Sequence, residues 1–148
     1  MSTLDIIKRF AVGLQANEIT VRLSEDEPPA LIVQPDALGP YENGRIIMEI
    51  SGIAGEEDGW LCFELLTSVA KNIPLEKFGG LLVKLNDLNK REMPGCYGLL
   101  DESGILFHRY TLFVPENAAL PEEYLAEAMG QVLGRIDLDF MELFLALG

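Results

Sequence analysis

The residues of this chain that could carry out acid–base or nucleophilic chemistry are few and widely separated. His108 is its single histidine, and its two cysteines are Cys62 and Cys96. A histidine that acts as a general base needs a nucleophile or a carboxylate beside it, and no motif marks one near His108. We therefore interpret His108 as a structural or surface residue. With no CxxC pair, Cys62 and Cys96 are interpreted as reduced core residues.

Carboxylates are the other candidate catalytic groups, because acidic residues outnumber basic ones by 24 to 11. Glu56 and Glu57 are adjacent in the segment GEEDG, but neighbours in such a turn need not converge on one substrate. No acidic cluster has the alternating oxygen ligands, central glycine and closing glutamate of an EF-hand loop. The motifs GxSxG, GxxxxGK[ST], HExxH and GxGxxG are missing from the sequence. We expect no catalytic activity, no cofactor and no metal site.

Composition and charge restrict the possible partners. A formal net charge of -13 repels phosphate backbones and anionic lipid headgroups, so nucleic acid and membrane surfaces are poor partners. No apolar run approaches the ~20 residues that cross a bilayer. A chain of 148 residues with 49% hydrophobic and 24% charged residues is typical of one folded domain. We predict a single domain over residues 1–148, located in the cytoplasm.

Apolar residues at helical spacing predict three helices. The first runs from Thr3 to Ala16, capped by Ser2 or Thr3 and ended by Asn17. The second runs from Pro74 to about Arg91, and its predicted buried stripe consists of Leu75, Phe78, Leu82, Leu85 and Asn89. The third helix starts at Pro121. At 1.5 Å per residue it spans about 40 Å, so part of it is expected to project or to meet a partner.

Two pairs of residues in the second helix are unusual. Gly79 and Gly80 each cost on the order of 1 kcal/mol relative to alanine, so we interpret them as a place where the helix closely approaches a sheet. Asn86 and Asn89 lie one turn apart and face the same neighbour. They either contact a ligand or partner, or Asn89 caps the helix end and ties it to the following strand.

Alternating or β-branched runs predict the strands. Pro29 and Pro35 place the second strand near a sheet edge, and the turns AGEEDG and DESG each join a hairpin. Trp60 is interpreted as a core anchor. The element order α-β-β-β-β-α-β-β-α predicts an α+β fold with helices packed on a mostly antiparallel sheet of five to six strands. The predicted strands are Glu18 to Leu23, Ala30 to Gln34, Arg45 to Ile53, Trp60 to Thr67, Cys96 to Leu100 and Ile105 to Val114.

The last strand and the third helix carry more apolar surface than one sheet and one helix need. Both faces of the strand are largely apolar, which predicts a second covering layer, either the C-terminal helix or another subunit. An exposed edge strand could also accept an extended peptide. The helix has one apolar stripe for the sheet, and Leu133, Met141, Phe144 and Leu145 fall off that stripe, so its end is apolar nearly all round. That end either fills a pocket of the same chain or forms a dimer interface or partner groove. Candidate protein-binding or dimer residues are Leu106, Tyr110, Leu112, Leu133, Phe140, Met141, Phe144 and Leu145.

Three segments resemble the YbjN family of bacterial proteins, which shares its fold with type III secretion chaperones. They are LNDLN (85–89), GCYGLLDESGILFHRY (95–110) and LPEEYLAEAMGQVLGRIDL (120–138). The resemblance covers residues 45–140, whereas the first 44 residues match only in the order of elements. It implies a secretion-chaperone-like fold and a protein-binding or chaperone-like activity, often as a homodimer, with no cofactor and no known catalytic residues.

Three functional hypotheses follow. The first is a cytoplasmic chaperone-like or adaptor protein that holds a polypeptide client or regulatory protein, as a homodimer. The alternative is a sensory or regulatory domain that binds a small ligand between helix and sheet. The third is an enzyme built from dispersed residues.

Overall fold

The computed structural model describes residues 2–34, 46–53 and 59–148. These residues form a two-layer α+β fold, and the predicted order α-β-β-β-β-α-β-β-α is confirmed. In chain order the elements are α1 (Thr3–Ala16), β1 (Thr20–Ser24), β2 (Ala30–Gln34), β3 (Ile47–Ile53), β4 (Trp60–Ala70), a short 3-10 helix (Leu75–Lys77), α2 (Phe78–Asn89), β5 (Cys96–Leu100), β6 (Ile105–Pro115) and α3 (Pro121–Leu147).

The described strands form one antiparallel sheet in the order β1-β2-β3-β4-β6-β5. Both predicted hairpins are present as antiparallel pairs, β3 with β4 and β5 with β6. Residues 35–45 and 54–58 lie outside the described ranges, and with them Glu56, Glu57 and the predicted strand start at Arg45. The expected position of β2 near an edge is confirmed, since only β1 lies between β2 and the edge of the described sheet.

Side chains along each strand alternate between an inner face, which packs against the helices, and an outer face. In β3, Met48 and Ile50 are fully buried on the inner face, whereas Ile47 and Glu49 are partly exposed on the outer face. Helix α1 contacts β1 to β4, α3 contacts β6, and α2 contacts β5. Because α3 also contacts both other helices, the described helices form a single layer on the inner face.

Among the described residues, helices cover only the inner face of β6. Leu106 and Val114 are buried on that face. On the outer face Arg109 and Thr111 are exposed, and the Phe113 side chain is 52% exposed. The C-terminal helix therefore does not supply the second layer predicted for β6, and its supply by another subunit stays a prediction.

The bounds predicted for α1 and its cap are confirmed. The Ser2 side chain accepts a hydrogen bond from the Asp5 backbone N–H at 3.2 Å, and the Asp5 carboxylate accepts one from the Ser2 backbone N–H at 2.9 Å. This reciprocal pair is a capping box, which satisfies two backbone donors that the helix start leaves free.

The stripe predicted for the second helix is confirmed only in part. Leu85 is buried and Phe78 packs against the core, as predicted. The other buried residues of α2 are Leu81 and Leu88, while Leu75 is 78% exposed and Leu82 is 48% exposed. The segment begins as a 3-10 helix, and α2 starts only at Phe78. A 3-10 helix has three residues per turn, so the first turn does not continue the spacing of the α-helix.

The glycine pair of α2 does not approach the sheet, so that prediction is also wrong. A Cβ atom added to Gly79 or Gly80 would have no neighbour within 4 Å. Gly95 is a glycine whose backbone conformation and close neighbours exclude a side chain. Its φ is 74°, and a Cβ there would collide with the His108 ring and lie 2.5 Å from the Arg109 carbonyl oxygen.

Alanine substitutions at these glycines are expected to have opposite effects. Gly80→Ala should raise the free energy of unfolding by up to about 1 kcal/mol, because alanine favours the helix and meets no neighbour. Gly95→Ala should lower it by about 1–3 kcal/mol through backbone strain and the collision with His108. Urea denaturation of both variants measures the difference, and a loss of stability in Gly80→Ala would contradict the open environment of Gly80.

Candidate functional site

Arg135 is a fully buried cation that joins three parts of the chain. Its side chain, on α3, donates hydrogen bonds to the backbone carbonyl oxygens of Leu88 at 2.8 Å, Pro94 at 2.9 Å and Gly95 at 2.6 Å. The Leu88 carbonyl belongs to the last turn of α2, where helices leave carbonyl groups without intrahelical partners. Arg135 therefore ties the end of α2 to the turn that leads into β5.

Asp139 balances the charge of Arg135 within the same buried region. Its carboxylate accepts hydrogen bonds from the Tyr97 hydroxyl at 2.8 Å, from Arg91 Nη1 at 3.0 Å and from Arg135 Nε at 3.4 Å. The Arg135 guanidinium also lies 4.9 Å from the centroid of the Tyr97 ring. Three donors around one buried carboxylate offset the cost of removing it from water. We call Arg91, Tyr97, His108, Arg135 and Asp139 the Arg135 cluster.

Arg91 connects this cluster to the protein surface. Its Nη2 atom donates to both carboxylate oxygens of Glu142, at 2.8 and 3.0 Å. These hydrogen bonds hold the pKa of Glu142 below its ordinary value. Lys84 approaches the same carboxylate at 3.4 Å. The cluster thus continues into ion pairs that attach α2 and the turn after it to α3.

His108 occupies a structural position in the Arg135 cluster. Its side chain is fully buried on the inner face, and Nε2 lies 2.9 Å from the Pro94 carbonyl oxygen. A carbonyl can only accept, so Nε2 carries the proton and Nδ1 carries the lone pair. Burial lowers the pKa of His108 to about 4, so the ring is neutral at pH 7. With no exposed surface, His108 is poorly placed to act as a general base on a substrate.

Asn89 is a structural tie, as one of the two sequence interpretations proposed. Its amide donates to the Tyr97 carbonyl oxygen at 2.9 Å and accepts from the Tyr97 N–H at 2.7 Å. Tyr97 belongs to the edge strand β5, so Asn89 satisfies backbone groups that an added strand would need. Strand addition at β5 is therefore obstructed at Tyr97. Asn86 is exposed.

The remaining candidate chemical groups do not assemble into a site. Cys62 is buried as expected, but Cys96 is exposed, so its assignment to the core is wrong. Neither Cys62 nor Cys96 forms a disulfide bond. Among residues 2–34, 46–53 and 59–148, no group of three or more His, Cys, Asp or Glu side chains could hold a metal ion.

The eight residues predicted to bind a partner do not form one surface. Leu106 and Leu133 are 0% and 8% exposed and belong to the core of this chain, so they offer no surface to a partner in this conformation. Leu133 was expected to lie off the buried stripe of α3, but it packs within the core. Tyr110, Leu112 and Phe140 are half-buried. The exposed ones are Met141, Phe144 and Leu145.

Those three exposed residues belong to a larger apolar area on α3. Leu138, which the sequence interpretation missed, is 73% exposed, and Met141, Phe144 and Leu145 are 62%, 59% and 72% exposed. Its spacing of three residues from Met141 and seven from Leu145 is the signal that could have identified it. We call Leu138, Met141, Phe144 and Leu145 the α3 surface. It faces away from the sheet.

A second apolar area lies on the outer face of the sheet. Trp60, expected in the core, is 46% exposed, and Phe113 is 52% exposed. The register pairs Ile53 with Cys62 and Cys62 with Phe113, so these side chains share one face with Trp60, two residues before Cys62. We call Ile53, Trp60, Cys62 and Phe113 the outer-face apolar cluster. None of the described helices lies on this face.

A shallow depression of about 590 Å³ adjoins this cluster on the outer face. Ile53 and Leu66 supply part of its apolar lining. Three carboxylates, those of Glu27, Glu49 and Glu64, also line it, whereas none of the described lysines or arginines does. Its surface is therefore both apolar and acidic.

Comparison with known proteins leaves the family of this chain open, since no family model matches it and no curated protein is similar in sequence. In the described part of the chain, no helix is both long and apolar enough to span a membrane.

Substitution of Arg135 tests the role of the Arg135 cluster. Arg135→Met should lower the free energy of unfolding by about 3–5 kcal/mol, because it leaves Asp139 and the carbonyl groups of α2 and the following turn short of donors. Arg9→Met is the control, since Arg9 is half-exposed and lies 3.7 Å from Glu122. It should cost less than about 1 kcal/mol. Equal small losses in urea denaturation would contradict the structural role of Arg135.

His108 predicts a dependence of stability on pH. The pKa of His108 is about 4 in the folded chain and 6.5 as the ordinary value, so the unfolded chain takes up the proton first as the pH falls. The contribution of the neutral His108 ring to the free energy of unfolding is complete above pH 6.5 and is lost as the pH falls toward 4. The loss is about 2 kcal/mol at pH 5. Urea denaturation at pH 7 and pH 5 measures the decrease in the free energy of unfolding between the two. This decrease should be about 2 kcal/mol smaller for His108→Gln than for the wild type. Equal losses would contradict the prediction.

Proposed function

We propose that this protein is a non-catalytic protein-binding module, a cytoplasmic chaperone-like or adaptor protein that holds a polypeptide client or regulatory protein. The proposal follows the resemblance to YbjN proteins and type III secretion chaperones. It also draws on the shape of the molecule, in which the described helices occupy one face of the sheet and leave the other free for a partner.

The observation that carries the proposal is the exposure of Trp60 and Phe113 on the outer face. Large aromatic side chains are enriched at the centres of protein interfaces, because they bury much area with few rotatable bonds. Here two of them lie on a regular sheet with the apolar side chains of Ile53 and Leu66 nearby. A shallow surface of this kind suits an extended segment better than an enclosed small molecule.

The charge of the surface indicates the chemistry of the segment. The neighbouring depression presents the carboxylates of Glu27, Glu49 and Glu64. Glu64 is paired with Arg109 at 3.2 Å, which leaves Glu27 and Glu49 as the acidic groups for a partner. We therefore expect a client segment in which apolar residues alternate with lysine or arginine.

The sensory alternative draws less support from the packing. A ligand between helix and sheet would have to occupy the space that Ile7, Met48 and Leu65 fill with fully buried side chains. Neither the outer-face depression nor a smaller groove between α2 and α3 lies between these layers.

A peptide array tests the proposed function. The wild-type protein should bind array peptides that combine apolar and basic residues. The double variant Trp60→Ser/Phe113→Ser should not bind them, because it lacks the aromatic contacts. Val12→Ser is the matched control, since Val12 is 66% exposed on α1, in the other layer. It should bind as the wild type does.

The same proteins then serve as baits in extracts of the native host. A stoichiometric client that wild type and Val12→Ser capture, and that the double variant does not, would support the proposal. A blank array together with ligand-dependent melting of the wild type would favour the sensory alternative instead.

A further inference from the structure

The outward side of α3 divides into a flat half and a bulky half. Its exposed residues recur at spacings of three and four, as on one face of a helix. Gly130 and Gly134 form the first half, and a Cβ added to either would meet nothing within 4 Å. Leu138, Met141 and Leu145 form the second half and are each more than 60% exposed. The bulky half is part of the α3 surface.

These two halves are arranged symmetrically along the helix. Gly134 and Met141 lie equally far from the midpoint between Asp137 and Leu138, and so do Gly130 and Leu145. If a second α3 crossed antiparallel about a twofold axis through that midpoint, Met141 of each copy would lie over Gly134 of the other. Leu145 would likewise lie over Gly130. A twofold interface requires such self-complementarity, because each contact occurs twice.

The charges around α3 fit the same arrangement. The first half of the helix carries Glu123 and Glu127 on its exposed side. The other end of the helix lies beside a cation, because Lys77 Nζ donates to the Gly148 carbonyl oxygen at 3.0 Å. The antiparallel arrangement places Glu127 of one copy opposite Gly148 of the other, and therefore near Lys77. Opposite charges would meet at both ends of the interface.

We infer that the α3 surface is occupied by a second copy of this chain, with the two α3 helices antiparallel and bulky residues seated over glycines. This interface goes beyond the proposed client site, because it uses the helix layer and leaves both outer sheet faces free. Asp137 lies beside the axis, so the dimer brings the Asp137 carboxylates of the two copies together. We therefore expect Asp137→Asn to strengthen the dimer.

Filling the glycine half tests the interface without removing a core contact. By sedimentation velocity, the wild type is expected to be a dimer. Gly134→Leu should raise the dimer dissociation constant about ten-fold or more, because the added side chain occupies the seat of Met141. Gly13→Leu is the matched control, since Gly13 is an exposed helical glycine on α1 with equally open surroundings. It should leave the dissociation constant unchanged.

A disulfide crosslink tests the register. In a Cys96→Ser background, which removes the exposed native thiol, Gly134→Cys with Met141→Cys should form a covalent dimer on oxidation. Gly13→Cys with Met141→Cys should not. Circular dichroism establishes that each variant is folded. If Gly134→Leu fails to fold, Asp137→Asn replaces it, with a tighter dimer as the expected result.

Three results would overturn the inference. In the first, the wild type is a monomer at concentrations up to about 100 µM. In the second, Gly134→Leu and Gly13→Leu have the same dimer dissociation constant. In the third, Gly134→Leu is folded and dimeric but no longer binds a captured client. The last result would assign the α3 surface to another protein. Peptide retention by the outer face is measured separately, so either proposal can fail without the other.

Discussion

The hydrogen bonds of the Arg135 guanidinium group determine how the helix layer meets the sheet. The last turn of α2 and the turn before β5 present the carbonyl groups of Leu88 and Pro94 to α3, and the Leu88 carbonyl also accepts from the Arg91 backbone N–H at 3.2 Å. Arg135 reaches both from α3 with planar, charged donors. Asp139 compensates its charge, and Tyr97 and Arg91 complete the partners of that carboxylate. The position of edge strand β5 follows from this contact, and so does the buried site of His108.

This arrangement separates the scaffold of the protein from its surfaces. The buried polar groups of the Arg135 cluster are largely engaged with one another and with backbone carbonyls, so they stabilise α2, α3 and β5 in fixed relation. The exposed apolar side chains lie elsewhere, on the α3 surface and in the outer-face apolar cluster. One belongs to the helix layer and the other to the opposite face of the sheet. The client and the second copy that we propose would therefore occupy two separate surfaces.

Much of the fold could be predicted because the signals were local. The capping Ser2 and the periodic apolar residues set the bounds of α1, and turn residues such as Gly104 identified a hairpin. The phase of α2 could not be predicted, since adjacent leucines at Leu81 and Leu82 allow two stripes at helical spacing, and packing buries only Leu81. The close approach expected at Gly79 was also wrong. A glycine in the sequence indicates a flexible backbone position, but it does not indicate which group lies beside it.

The sequence by itself determined the order of elements, the antiparallel class of the sheet and the excess of apolar residues near Phe144, because these depend on spacing along the chain. It could not decide which apolar residues are exposed. Leu133 and Leu138 are both leucines of α3, yet Leu133 is 8% exposed and Leu138 is 73% exposed. That outcome depends on which neighbours pack around α3, as does the role of Arg135. Such long-range contacts exist only once the helices lie on the sheet, so the tertiary structure alone decided them.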